Sequence, residues 1–267
     1  MQRHAAVAGQ FYPGTQEQLR SVLSGLIPAV PEKRRVMGIV APHAGYIYSG
    51  AIAGKIYGRI AMPATVLIIG PNHHGAGAAA ALHPEGEWLT PLGSIAINPR
   101  LNALLKHSVP FVELDSSAHR FEHSLEVQVP FIQHLRPDAT FAALCLGHGD
   151  FAAVQEIGFG VAAAIRGYGE DVLMVASSDM THYESADTAR RKDERALARV
   201  LAFDPEGLMK ICRSENITMC GVIPTAAMLV ASRELGATHA EVEAYGTSGD
   251  VTGDYHQVVG YAAVSVW

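Results

Sequence analysis

The chain has 267 residues, 49% of them hydrophobic and 17% charged, and 20 Lys+Arg against 26 Asp+Glu leave a net charge of −6. No block of like charge stands out, which argues against a nucleic-acid binder and a polybasic membrane anchor. No apolar run reaches the roughly 18 residues of a transmembrane helix. The length buries a sizeable core without a staple, and Cys145, Cys212 and Cys220 are too few and too unevenly spaced for a disulfide framework. The first residues lack the apolar core of a signal peptide, so the sequence reads as a cytoplasmic protein with a single domain over residues 1–267. Thirteen histidines beside three cysteines are the compositional oddity, and they point to metal.

In chain order, Thr15-Gln16-Glu17-Gln18 forms a capping box, and Leu19, Leu23 and Leu26 mark the apolar stripe of the helix behind it. Apolar runs over residues 36–40, 65–69, 141–146, 172–176 and 258–266 are short and unbroken rather than alternating, as strands covered on both faces are. Pro130 interrupts residues 124–134, which predicts a short turn and then a helix. Asp150 is placed to cap a helix running towards Arg166, and residues 185–203 form a charged amphipathic helix. Residues 224–235 begin with Pro and stop at Gly236, the usual asymmetry of helix ends. Alternating strand and helix predict an α/β fold, a three-layer sandwich around a largely parallel or mixed sheet.

The histidines fall where those strands end. The run over 36–40 leads into Ala41-Pro42-His43-Ala44-Gly45-Tyr46, that over 65–69 into Gly70-Pro71-Asn72-His73-His74-Gly75, and that over 172–176 into Ser177-Ser178-Asp179-Met180-Thr181-His182-Tyr183. Ligands of open α/β sheets bind outside the carboxyl ends of strands, so the three turns can share one cleft. Alone, each His reads as a hydrogen-bonded turn residue; His43, His73, Asp179 and His182 together read as a site. His74 points elsewhere, towards substrate or behind a ligand. His4, His83, His107, His134 and His239 read as ordinary residues in polar or loop-like surroundings. In Phe121-Glu122-His123-Ser124-Leu125-Glu126, a helix start accounts for Ser124 and Glu126 but not for Glu122-His123. Cys145 and Cys212 read as small core residues. Cys220 precedes a helix whose dipole favours the nucleophilic, metal-binding thiolate; a buried free cysteine is the equal alternative.

Gly9-Gln10-Phe11-Tyr12-Pro13, the segments around His43 and His73, Glu122-His123-Ser124-Leu125-Glu126, Ser177-Ser178-Asp179-x-x-His182 and Cys220-Gly221-x-x-Pro224 together resemble the Memo family. In prokaryotes its members are also called protein B of the AmmeMemoRadiSam system. The resemblance implies a fold like that of the class III extradiol (LigB-type) non-haem iron dioxygenases. It also implies a metal site of two His and one Cys, here His43, His73 and Cys220, holding iron or copper in a redox role without a settled substrate. It implies company too, a radical-SAM enzyme and an AMMECR1-like protein. Eukaryotic members are described as binding phosphotyrosine peptides. The chain carries Cys220 where the dioxygenases use a carboxylate, and Met180-Thr181 differ from the eukaryotic form.

Two imidazoles and a thiolate leave coordination positions open and select iron, copper or zinc over magnesium or calcium. His123 and His182 are candidates to move protons, with Asp179 orienting a ligand or holding His182. Tyr46 is a candidate donor to the open position, and Asp179 or Glu122 is the base if the chemistry is hydrolytic. The expected function is a metal-dependent oxidoreductase, dioxygenase-like, of unknown substrate. The alternatives are a peptide- or protein-binding module with an incidental metal site and, without an H-E-x-x-H helix to support it, a zinc hydrolase.

Overall fold

A computed structural model describes residues 1–109 and 111–267. The chain opens with β1 (Gln2–Arg3), α1 (Gln16–Leu26), β2 (Gly38–Ala41) and α2 (Tyr46–Arg59). Next come β3 (Thr65–Pro71), the short β4 (Ala80–Leu82), β5 (Glu87–Thr90) and β6 (Gly93–Ala96), then α3 (Pro99–Ser108) and β7 (Glu113–Leu114). A 3-10 turn at Glu126–Gln128 leads into α4 (Val129–Leu135), β8 (Thr140–Leu146), α5 (Phe151–Tyr168) and β9 (Val172–Ser177). The last third holds β10 (His182–Glu184), α6 (Ala186–Leu201), α7 (Pro205–Ser214), α8 (Val222–Glu234), β11 (Ala240–Thr247), α9 (Gly249–Thr252) and β12 (Val258–Val266).

The main sheet has the order β10-β12-β2-β9-β3-β8-β4-β7, with β11 also paired to β12; β1, β5 and β6 form a second, small sheet. Its central strands β2, β9, β3 and β8 are parallel, and β12 and β4 join them antiparallel on either side. The sheet is mixed around a parallel centre, and the α/β expectation holds.

Alternation of side chains across the pleat explains why these strands read as unbroken apolar runs. Leu67 and Ile69 of β3, Leu144 of β8 and Met174 of β9 join one core with residues of α3, α5 and α8. Val66 and Ile68, Ala143, and Leu173 and Val175 of the same strands join the opposite core, with residues of α1, α2 and α4. Each strand therefore needs apolar residues at successive positions.

Local signals worked with small adjustments. Asp150 and Ser185 cap α5 and α6 by accepting from the N–H groups of Ala153 and Thr188. Thr15 sits at the N-cap of α1, but its hydroxyl donates to Gln18 Oε1 instead of accepting from the backbone. α8 starts at Val222, two residues before Pro224, and ends just before Gly236, whose φ of +98° suits glycine. Pro130 stands in the first turn of α4, after the expected turn. His83 departs from its polar, loop-like expectation: it is 1% exposed and packs edge-on against Trp88 and His119 between the two sheets. No helix among the described residues is long and apolar enough to cross a membrane.

Candidate metal centre

Because β2, β9 and β3 are adjacent and parallel, the turns after them emerge side by side at one edge of the sheet. They carry His43, Asp179 and His73. The segment bearing Glu122 and His123 is tied to the same edge. Ser124 Oγ donates to the Pro71 carbonyl at 3.1 Å, and Ser177 Oγ donates to the Ser124 carbonyl at 2.7 Å. Cys220 arrives at the N-terminus of α8, where Gly221 N donates to Ser178 Oγ at 3.0 Å.

Three imidazoles meet here. Ring centroids of His43 and His73 are 5.3 Å apart, those of His43 and His123 5.4 Å, and those of His73 and His123 4.7 Å. One ring nitrogen from each lies within 4.8 Å of the others, close enough to share a metal ion. Cys220 stands beside this group, its Sγ 3.3 Å from His43 Nε2.

Hydrogen-bond accounting assigns the tautomers. Ser177 Oγ gives its proton to the Ser124 carbonyl and accepts from Gln128 Nε2 at 2.8 Å, so it accepts as well from His43 Nδ1 at 2.9 Å. His43 therefore carries its proton on Nδ1 and presents a lone pair at Nε2, on the thiol. Glu122 accepts from His73 Nδ1 at 2.9 Å and from the His73 backbone N at 2.7 Å, which leaves His73 Nε2 free. The same carboxylate lies 3.6 Å from His123 Nδ1. An oriented imidazole backed by a carboxylate or hydroxyl is the usual support of a metal ligand.

Electrostatics keep the nitrogens available. Burial, and then the charges His123 and His73 would carry, push His43 well below the usual histidine range. Burial brings His123 down to about 4 despite the opposing charge of Glu122. Both rings are thus neutral at pH 7. Burial opposes ionisation of Glu122, but the hydrogen bond from His73, the charge that ring would carry and the bonds from Ser124 outweigh it and hold the carboxyl below its usual range. Asp179 is raised to about 7 by burial, although it accepts from the backbone N of His43 at 2.8 Å. Cys220 is pushed up, by burial first and then by Asp179, so the thiolate expected from the helix dipole gives way to the thiol. Burial decides this against the partial charge of one helix end.

The structure thus gathers His43, His73, His123, Glu122, Asp179 and Cys220. His182 lies at the margin: its backbone N and Nδ1 bond Thr218 Oγ1 and carbonyl, while burial lowers its pKa. Tyr46, expected to face the open position, is instead buried in the core with its hydroxyl on the Val127 carbonyl at 2.8 Å. His74 is exposed and turned to the Phe121 carbonyl. The sequence reading missed Ser177 and Gln128, which fix the tautomer of His43. Gln128 had one signal, a lone amide among apolar residues in Val127-Gln128-Val129. The donor set, imidazole nitrogens and one sulfur with Glu122 oxygens already engaged, fits a transition ion and not magnesium or calcium.

Comparison with known proteins places the chain among similar sequences. The profile of the family described as Memo-like protein matches residues 3–265. A MEMO1 family protein of Methanopyrus kandleri is 40% identical over 99% of this chain and 98% of its own length. One from Methanothermobacter thermautotrophicus is 40% identical over 99% and 100%, and one from Methanosarcina barkeri 41% identical over 99% and 99%. Among solved structures, an uncharacterized protein of Escherichia coli K12 shares the fold, with a TM-score of 0.54 at 15% identity over 86% of this chain and 99% of that one.

Proposed function

The chain belongs to the Memo family, and from that premise we propose that it is a metal-dependent oxidoreductase with a single transition ion, iron or copper, in the strand-end cleft. His43 and His73 bind through Nε2, and Cys220 Sγ or His123 supplies the third donor. The observation that carries this reading is the meeting of three imidazoles from three separate segments, two of them held in the tautomer a ligand needs. When bound, such an ion supplies Lewis acidity and one-electron chemistry at an open coordination position.

The chain's own residues do the rest. Ser177 and Glu122 aim the two rings. Cys220 loses a proton to become a ligand, which couples affinity to pH. In this reading Asp179 and His182 pass protons to a bound substrate.

The test is elemental analysis of protein purified without chelating resin, for the wild type and four variants. The expected result is close to one iron or copper per chain in the wild type and none in His43→Ala or His73→Ala. Loss in Cys220→Ser with retention in His123→Ala selects the two-His, one-Cys set; the reverse selects three imidazoles. Zinc alone would favour hydrolysis over redox work. A wild type that takes up no transition metal, even after anaerobic reconstitution with Fe(II) or Cu(I), overturns the reading in favour of a binding module.

A further inference from the structure

We infer that Arg3 is a positioning residue for the imidazole cluster, acting through Glu126 on the segment that carries Glu122 and His123. Arg3 stands on β1, is 6% exposed, and lies 4.1 Å over the Trp88 ring. Its guanidinium brackets that segment at three points. Nε donates to the His119 carbonyl at 2.7 Å, Nη2 to the Glu122 carbonyl at 2.9 Å, and Nη1 to Glu126 Oε2 at 2.7 Å. A rigid fork that satisfies two carbonyls and a carboxylate fixes both the path and the rotation of the backbone between them.

Glu126 passes the constraint back to the N-terminal segment. Its oxygens also accept from Ala6 N at 2.7 Å, Val7 N at 3.1 Å and the Tyr12 hydroxyl at 2.6 Å. Next to Tyr12, Phe11 sets its ring 4.8 Å from the His123 ring and its carbonyl on Tyr46 N at 2.7 Å, just after the His43 turn. The N-terminal segment therefore buttresses His123 on one side and the His43 turn on the other, and the ion pair is its anchor. The Phe11-Tyr12 motif and Glu126 acquire a role that ligand chemistry leaves unassigned.

As a statement about metal affinity, this rests on the function proposed above. The experiment titrates Co(II) into the metal-free full chain, follows the d–d absorption, and compares wild type with the double variant Arg3→Leu/Glu126→Gln, which leaves no lone buried charge. In metal-free samples, NMR reads the contact between the Phe11 and His123 rings. The expected result is a folded variant with a Kd about 10–100-fold weaker, a changed absorption band, and a lost ring contact. Glu243→Gln is the control for lost stability alone, since the partners of Glu243 (Arg34, Arg59 and Ser265) all lie outside the cluster; its Kd stays at the wild-type value.

If the double variant does not fold, Arg3→Lys replaces it, keeping the charge but losing the fork, with the same readouts. A folded variant with wild-type Kd and an intact ring contact overturns the inference. If the wild type binds no Co(II), the ring contact alone decides: its loss supports positioning, its persistence overturns it, while the metal reading stands or falls with the Fe(II) and Cu(I) reconstitution above.

Discussion

Glu122 has no exposed surface, yet it keeps its charge because the His73 ring, the His73 backbone and the Ser124 backbone all donate to it. That charge holds the His73 proton on Nδ1. Glu122→Gln preserves volume but can present an N–H to the ring and favour the other tautomer, with the Nε2 lone pair lost. The expected outcome is metal affinity about 10–100-fold weaker with the fold intact, read by equilibrium dialysis against metal. An affinity within a factor of about two of wild type would show that the carboxylate does not orient the ring. Cys220 teaches the opposite lesson. Its place before a helix argued for a thiolate, but burial outweighs the dipole and holds the thiol.

At the scale of elements, the close seat of α8 against the end of β9 decides where that thiol stands. A Cβ at Gly221 would lie 2.3 Å from the Ser177 carbonyl oxygen and 2.4 Å from Ser178 Cβ, so only glycine allows the approach. Gly221→Ala should lower stability by about 1–3 kcal/mol and push Cys220 away from His43. In thermal melts and alkylation of the metal-free protein, Tm falls and Cys220 labels faster. Gly236→Ala is the contrast. Its φ of +98° makes a side chain costly, but nothing lies within reach of the added atom, so Tm falls while labelling holds at the wild-type rate. Equal labelling in all three proteins would mean that the helix seat does not place the thiol. Most long elements were legible: buried strands betray themselves by successive apolar residues, and the caps at Asp150 and Ser185 act through local bonds. The strands β1, β4, β7 and β10 span two or three residues each, too few for a period, and form only because a partner strand is already there.

Across the whole molecule, the two sheets meet around Trp88, His83 and His119, with Arg3 above the indole. Burial depresses His83 to about 4 and His119 to about 3. Both are neutral when folded and titrate near 6.5 when unfolded, so the unfolded chain binds more protons in between. Stability is fully present above about pH 6.5 and is lost as the pH falls towards about 4. At pH 5 each neutral imidazole costs about 2 kcal/mol relative to neutral pH. The check is Tm against pH for wild type and His119→Gln. The variant should lose less Tm between pH 6.5 and 4.5; parallel curves would mean that His119 is not held neutral.

The sequence by itself determined the α/β class, the main strands, and the turns that put His43, His73 and Asp179 after them, because covered strands and strand-end turns are local patterns. It also carried the family, through motifs that run most of the chain. Only the tertiary structure decided which turns are neighbours. Adjacency follows from the order β2-β9-β3, a long-range pairing that no local pattern encodes. The same packing brought His123 into contact with His43 and His73, turned Tyr46 into the core, made Cys220 a thiol and sealed His83 inside. Each of those outcomes depends on burial and on partners distant in the chain, such as Ser177 for His43 and Arg3 for Glu126. Residue type and spacing report what a side chain can do; its desolvation and its partners are set only when the layers close.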